Sequence, residues 1–159
     1  MPIYMKYDGI TGQVTTDGFK DQVMVESFQF GVNRAMTSGS KNANREASTP
    51  SVSEVVITKT QDAASADIVK TSLGGEGKKC IFSFTKSGTD MKEAAYMIIT
   101  LEHTLISSFN MSSHGEGIPN ESLSLNFTKI EYKMMPSDPK NKTAAPKVAT
   151  FDILTGKGG

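Results

Sequence analysis

KCIFSFTK, residues 79–86, alternates without a break: Cys80, Phe82 and Phe84 fall on one side of an extended chain, Ile81, Ser83 and Thr85 on the other. Successive side chains of a strand point to opposite faces. The stretch therefore predicts a strand with an aromatic inner face. Cys80 reads as a small buried apolar residue within that face, since no cation stands near it in sequence to stabilise a thiolate. Toward the N-terminus, residues 3–7, IYMKY, predict a short strand, and Asp8-Gly9 and Asp17-Gly18 supply turn chemistry around a short connecting strand or loop. Residues 22–32, QVMVESFQFGV, predict a longer strand. Its parity places Met24, Phe28, Phe30 and Val32 on a core face, with Val23, Val25, Ser27 and Gln29 opposite. SEVVITKT at 53–60 predicts another strand.

Between these strands the period changes once. Residues 62–73, DAASADIVKTSL, bring Ala64, Ile68, Val69 and Leu73 to helical spacing. Asp62 stands as N-cap, and Gly74-Gly75 as the stop. On the C-terminal side, residues 96–111 predict the longest strand: Met97, Ile99, Leu101, Leu105 and Phe109 share a parity that His103 and Ser107 interrupt. Residues 112–120, SSHGEGIPN, predict a loop. Residues 121–134 place Leu123, Leu125 and Phe127 in phase, then Ile130, Tyr132 and Met134 in the opposite phase. That flip predicts a bulge near Thr128-Lys129, or a strand that passes from one packing environment to another. Residues 136–147 predict a loop and VATFDIL at 148–154 a last strand, with a frayed TGKGG tail.

Composition agrees. Ile and Val number 11 and 9 against 6 Leu, with 16 Thr; these β-branched residues suit a pleated surface. No βαβ rhythm appears. The 159 residues predict one domain, residues 1–159. Its class is mainly β, a small antiparallel β-barrel or two packed sheets, with one flanking α-helix at about 62–73 and a long loop at 33–51.

That loop, NRAMTSGSKNANREASTPS, lacks large apolar side chains apart from Met36. It carries Arg34, Lys41 and Arg45 against Glu46 alone. A stretch so long is either a solvated excursion or an arm that orders against a partner.

The search for chemistry gives little. Seventeen Lys and Arg balance seventeen Asp and Glu. This balance gives no general attraction for nucleic acid or anionic lipid. One cysteine excludes an internal disulfide. The N-terminus has no basic start followed by an apolar run, so it does not read as a secretory signal. No apolar stretch is long enough to span a membrane. His103 neighbours Glu102, but adjacent strand residues face opposite sides and cannot form a dyad. His114 lies near Glu116, too few ligands for a metal. The glycines at 74, 75 and 77 follow a helix, the wrong order for a phosphate cradle. Glu26 sits on a strand with no evident partner. The expectation is a structural or binding protein with no cofactor, no metal and no catalytic set; a barrel holding a small apolar ligand is the alternative.

Several segments in order resemble the Hcp (haemolysin-coregulated protein) family of bacterial type VI secretion. YMKYDGITGQVTTDGFKDQVMVESFQFGV (4–32) is similar to the family's opening, with its D-G-I-x-G turn and aromatic-x-aromatic-Gly strand end. VVITKTQDAASADIVKTSL (55–73) resembles its strand-to-helix passage. MIITLEHTLISSFNMSSHGEGIPNESLSLNFTKIEYK (97–133) carries I-T-L-E, E-S-L-S-L-N-F and K-I-x-Y. The sequence departs from the family where Phe28 and Phe30 stand at positions often held by tryptophan.

The resemblance implies a homo-hexameric ring that stacks into a tube inside a contractile sheath. The tube carries a spike and effector proteins and leaves the bacterial cytoplasm without a signal peptide. It implies no membrane insertion, and only TGKGG follows the last strand where some members carry a toxin domain. Two placements follow as expectations. Ser27 and Gln29 line the lumen, opposite Phe28 and Phe30. The 33–51 arm, with Arg34, Lys41, Arg45 and Glu46, contacts the next ring.

Overall fold

The computed structural model describes residues 1–36, 48–88, 92–136 and 144–159. The strands among them are β1 (Ile3–Tyr7), β2 (Val23–Val25), β3 (Ser27–Gln29), β4 (Val32–Asn33), β5 (Ser51–Val52), β6 (Val55–Thr60), β7 (Lys78–Ser87), β8 (Glu93–Ser112), β9 (Asn120–Asn126), β10 (Lys129–Met134), β11 (Lys147–Asp152) and β12 (Lys157–Gly158). Helix α1 (Ser65–Leu73) lies between β6 and β7. The mainly-β expectation holds. One sheet runs β12-β11-β10-β8-β7-β1-β2, the other β3-β6-β9-β8, all antiparallel. Among the described residues no ladder closes the two into a barrel. Instead the chain passes between sheets along single strands: β8 serves both, and β2 runs into β3 as its partner changes from β1 to β6.

These crossings explain where simple alternation fails. Val23 and Val25 are buried, whereas Met24 is 45% and Val32 58% exposed. The expected common face of Met24, Phe28, Phe30 and Val32 is therefore wrong at both ends. The chain breaks at Glu26, whose amide donates to the Thr58 carbonyl (2.8 Å); the break shifts the phase so that only Phe28 and Phe30 turn inward. Phe28 then meets Phe82 and Phe84 edge-on at 4.8 and 5.2 Å between ring centres, joining the two sheets.

In β8, Cys80 pairs with Leu101 but Lys78 with Thr104, so one extra residue is accommodated. His103 takes φ +49° there, the left-handed conformation common in bulges. After it Thr104 and Ile106 are buried and Leu105 is 43% exposed, correcting the single face expected for 96–111. A second slip at Ser107 restores the phase, and Phe109 packs on the core. The flip expected near Thr128 is present. β9 pairs with β6 and the distal half of β8, β10 with its proximal half and β11. The crossing is tied by Thr128 N donating to the Glu102 carbonyl (3.1 Å).

The main core combines the expected Cys80, Phe82 and Phe84 with Ile57, Ile99, Leu101, Leu123, Leu125 and Ile68. Helix α1 starts later than 62, but Asp62 still acts at its entry, accepting from the Ala64 amide (3.0 Å). Ala64 and Ile68 are buried, while Val69 is 36% and Leu73 85% exposed. The inward stripe is thus narrower than the spacing predicts.

Residues 10–22, expected as a short connecting strand or loop between turns, contain no strand and form a cover. Val14 and Phe19 bury against Tyr4, whose ring stacks on Phe19 at 4.7 Å. Gly12 permits this fold: a Cβ there would lie 2.1 Å from the Gln22 carbonyl oxygen. The C-terminal tail is not frayed. Thr150 and Gly159 exchange both backbone hydrogen bonds (2.6 and 2.9 Å), and Asp152 Oδ1 accepts from Leu154 N and Thr155 N to shape the turn between β11 and β12.

Candidate functional site

The β3-β6-β9-β8 sheet has two unlike faces, and register assigns each residue to one of them. Directly paired residues share a face. Inward rows read Phe28–Ile57–Leu123–Phe109 and Val55–Leu125–Ile106. Outward rows read Gln29–Val56–Ser124–Ser108, Ser27–Thr58–Ser122–Asn110 and Thr60–Asn120–Ser112, and at the opposite edge Asn126 pairs with the exposed Leu105. None of these outward positions carries a formal charge, and all but Val56 and Leu105 end in a hydroxyl or an amide. Ser27 and Gln29 are exposed on this face. They are two members of a much larger surface of the same chemistry. Ser27 and Thr58 bond hydroxyl to hydroxyl at 2.5 Å. The remaining members were readable from the alternation of Ser122 and Ser124 with Leu123 and Leu125, and from Thr58 and Thr60 against Val55 and Ile57.

At one end the inward face turns polar. Lys59 pairs with Glu121 across the sheet and is fully buried. Its ammonium donates to Glu121 Oε2 (2.8 Å), Asp62 Oδ1 (2.9 Å), the Thr60 carbonyl (2.8 Å) and Ser65 Oγ (3.3 Å). A buried ammonium is tolerable only with such partners. The cluster joins β6 and β9 to the first turn of α1.

The arm begins as a ribbon. β4 pairs with β5, Gly31 N donates to Ser53 Oγ (2.7 Å), and Ser48 N to the Ala35 carbonyl (3.1 Å). Arg34 is exposed beside this ribbon; Lys41, Arg45 and Glu46 lie outside the described residues. Among the reactive candidates, Cys80 is fully buried and its thiol is pushed well up, first by burial and then by the Asp8 charge. Glu102 pairs with Lys79 (3.4 Å). His103 and His114 are exposed, and among the described residues no group of His, Cys, Asp or Glu is arranged to hold a metal. No described helix is long and apolar enough to cross a membrane.

A family model described as the type VI secretion system effector Hcp matches residues 4–134. The chain belongs to the Hcp family. Hcp is a type VI secretion tube protein, and the family is not one of known enzymes. Solved structures share the fold across nearly the whole chain. A type six secretion system protein superposes with a TM-score of 0.89 at 21% identity, covering 99% of each chain. Hcp1 from Salmonella typhimurium gives 0.77 at 20% identity, covering 99% of this chain and 98% of that one. A type VI secretion system effector from Yersinia pestis gives 0.74 at 20% identity, covering 94% and 98%. No curated protein sequence matches significantly.

Proposed function

We propose that this Hcp protein is the ring subunit of a type VI secretion tube. Six copies close a ring, rings stack, and the outward face of β3-β6-β9-β8 turns to the lumen and carries effectors. The observation that supports this reading is that face: rows of side chains without formal charge, broad enough to line a passage, in which only Val56 and Leu105 among the described residues are apolar, too small an area to trap a protein moving along it. A closed ring also needs a heterologous contact between unlike patches. Side chains such as Leu73, Val148, Ile153 and Leu154, exposed on the protomer, offer apolar area for it. The spike, the sheath and the effectors are the partners of the tube, and export through the machine itself requires no signal peptide.

The 33–51 arm is the proposed ring-to-ring contact, through Arg34, Lys41, Arg45 and Glu46. Screened surface pairs are each worth under ~1 kcal/mol, so stacking is salt-sensitive and reversible. Deleting residues 38–47 is expected to leave rings that no longer stack; a deletion variant that still forms tubes refutes the assignment. The lumen reading is tested by Gln29→Trp, which crowds the face without charging it. Cargo retention is expected to change while the ring persists. Unchanged retention on an intact ring removes Gln29 from the lumen.

A further inference from the structure

We infer that a pocket at the edge of the uncharged face receives the basic side chain of a polypeptide in the channel, an arginine or a lysine. The inference deepens the lumen reading and rests on it for the identity of the polypeptide. The pocket, about 370 Å³, lies where β2 gives way to β3 and where β8 and β9 approach their ends. Its wall includes Glu26, Thr58, Asn110, Met111 and Asn120 and, among the described residues, no lysine, arginine or histidine.

Three features select the occupant. Glu26 is exposed, and among the described residues no hydrogen bond or ion pair engages its carboxylate. Glu121 reaches the same wall from the buried side, within a cluster whose formal charges are one Lys59 against two carboxylates. The local field therefore favours a cation. Met111 is 59% exposed and presents an apolar thioether, while Asn110 and Asn120 offer amide oxygens. Arginine and lysine carry an apolar stem and a charged head, which matches an apolar wall leading to a carboxylate. Arginine fits better, because its planar fork can engage a carboxylate and amide oxygens together.

The test uses the full chain labelled on its methionine methyl groups, with Met111 assigned through Met111→Leu. It is titrated with acetyl-Gly-Arg-Gly-amide and with the same peptide carrying citrulline, which keeps the shape and removes the charge. A saturable shift at Met111 is expected, with the citrulline peptide about threefold to fivefold weaker, as for a partly exposed ion pair. Glu26→Gln is expected to abolish that preference, and Glu54→Gln, whose carboxylate is held by the Ser107 hydroxyl, to leave it. Equal response to both peptides, a preference that survives Glu26→Gln, or no shift at Met111 overturns the inference. Solution mass of the same sample separates the two readings. A shift on a monomer keeps the pocket and sinks the ring, whereas a ring without a shift does the reverse.

Discussion

Lys59 shows how much of this protein is decided by single side chains. Its ammonium is buried between Glu121 and Asp62, so truncation strands two carboxylates. Lys59→Ala is expected to cost about 3–5 kcal/mol in urea unfolding, and Lys59→Met with Glu121→Leu to recover part of that, because the pair then leaves together. Tyr7 sets a pH limit. Burial, with Cys80 adding, pushes its hydroxyl from 10.0 up to about 12, while the hydroxyl donates to the Thr104 carbonyl (2.7 Å). Between those values the unfolded chain gives up a proton that the folded chain keeps. The Tyr7 contribution to stability is therefore full below pH 10 and is lost as pH rises toward 12. Tyr4 and Cys80 are raised too and act in the same direction. Tyr7→Phe is expected to flatten this alkaline slope, at a cost of about 1–3 kcal/mol at neutral pH for the abandoned carbonyl. Unfolding curves at neutral pH and in that alkaline window measure both. The Lys59–Glu121 pair left a trace in the sequence: each occupies the next inward parity position after an apolar pair, Val55 and Ile57 or, read backward, Leu125 and Leu123. Without the register, nothing placed the two opposite each other.

At the scale of elements, strands were readable and their phase was not. Cys80, Phe82 and Phe84 alternate within one ladder, so parity placed them correctly. Val23 and Phe28, or Leu101 and Thr104, straddle a change of partner, and each such change inserts or drops one residue of phase. The β8 bulge also depends on its neighbour. A Cβ on Gly77 would sit 2.9 Å from the His103 carbonyl carbon and 3.0 Å from its Cα and oxygen. Backbone cannot yield cheaply, so Gly77→Ala is expected to destabilise by about 1–3 kcal/mol, read as a lowered urea midpoint. Helix α1 gives a contrast within one element. Ile68→Ala opens a cavity under a fully buried side chain and is expected to cost about 2–5 kcal/mol. Leu73→Ala, at an 85% exposed position, is expected to alter folding stability by no more than about 0.5 kcal/mol. Helical spacing counted Ile68 and Leu73 alike. Only the line of approach to β8 separates them.

For the molecule as a whole, two sheets share β8 and the β2–β3 strand, and this geometry turns one sheet's polar rows outward as a continuous surface. Ser27 and Gln29 were legible because they oppose an aromatic pair on a single strand. The rest of the surface needed β6, β9 and β8 in register, a fact of long-range pairing that no local pattern carries. The arm was legible as a break in apolar content, though not the β4–β5 ribbon from which it springs. We propose that six protomers surround a passage lined by those uncharged rows. The most direct measurement is the solution mass of the purified protein together with negative-stain images of the same sample. Particles of six times the 17.1 kDa protomer mass that appear as rings with an open centre are expected. Single 17.1 kDa molecules with no central opening would contradict the proposal.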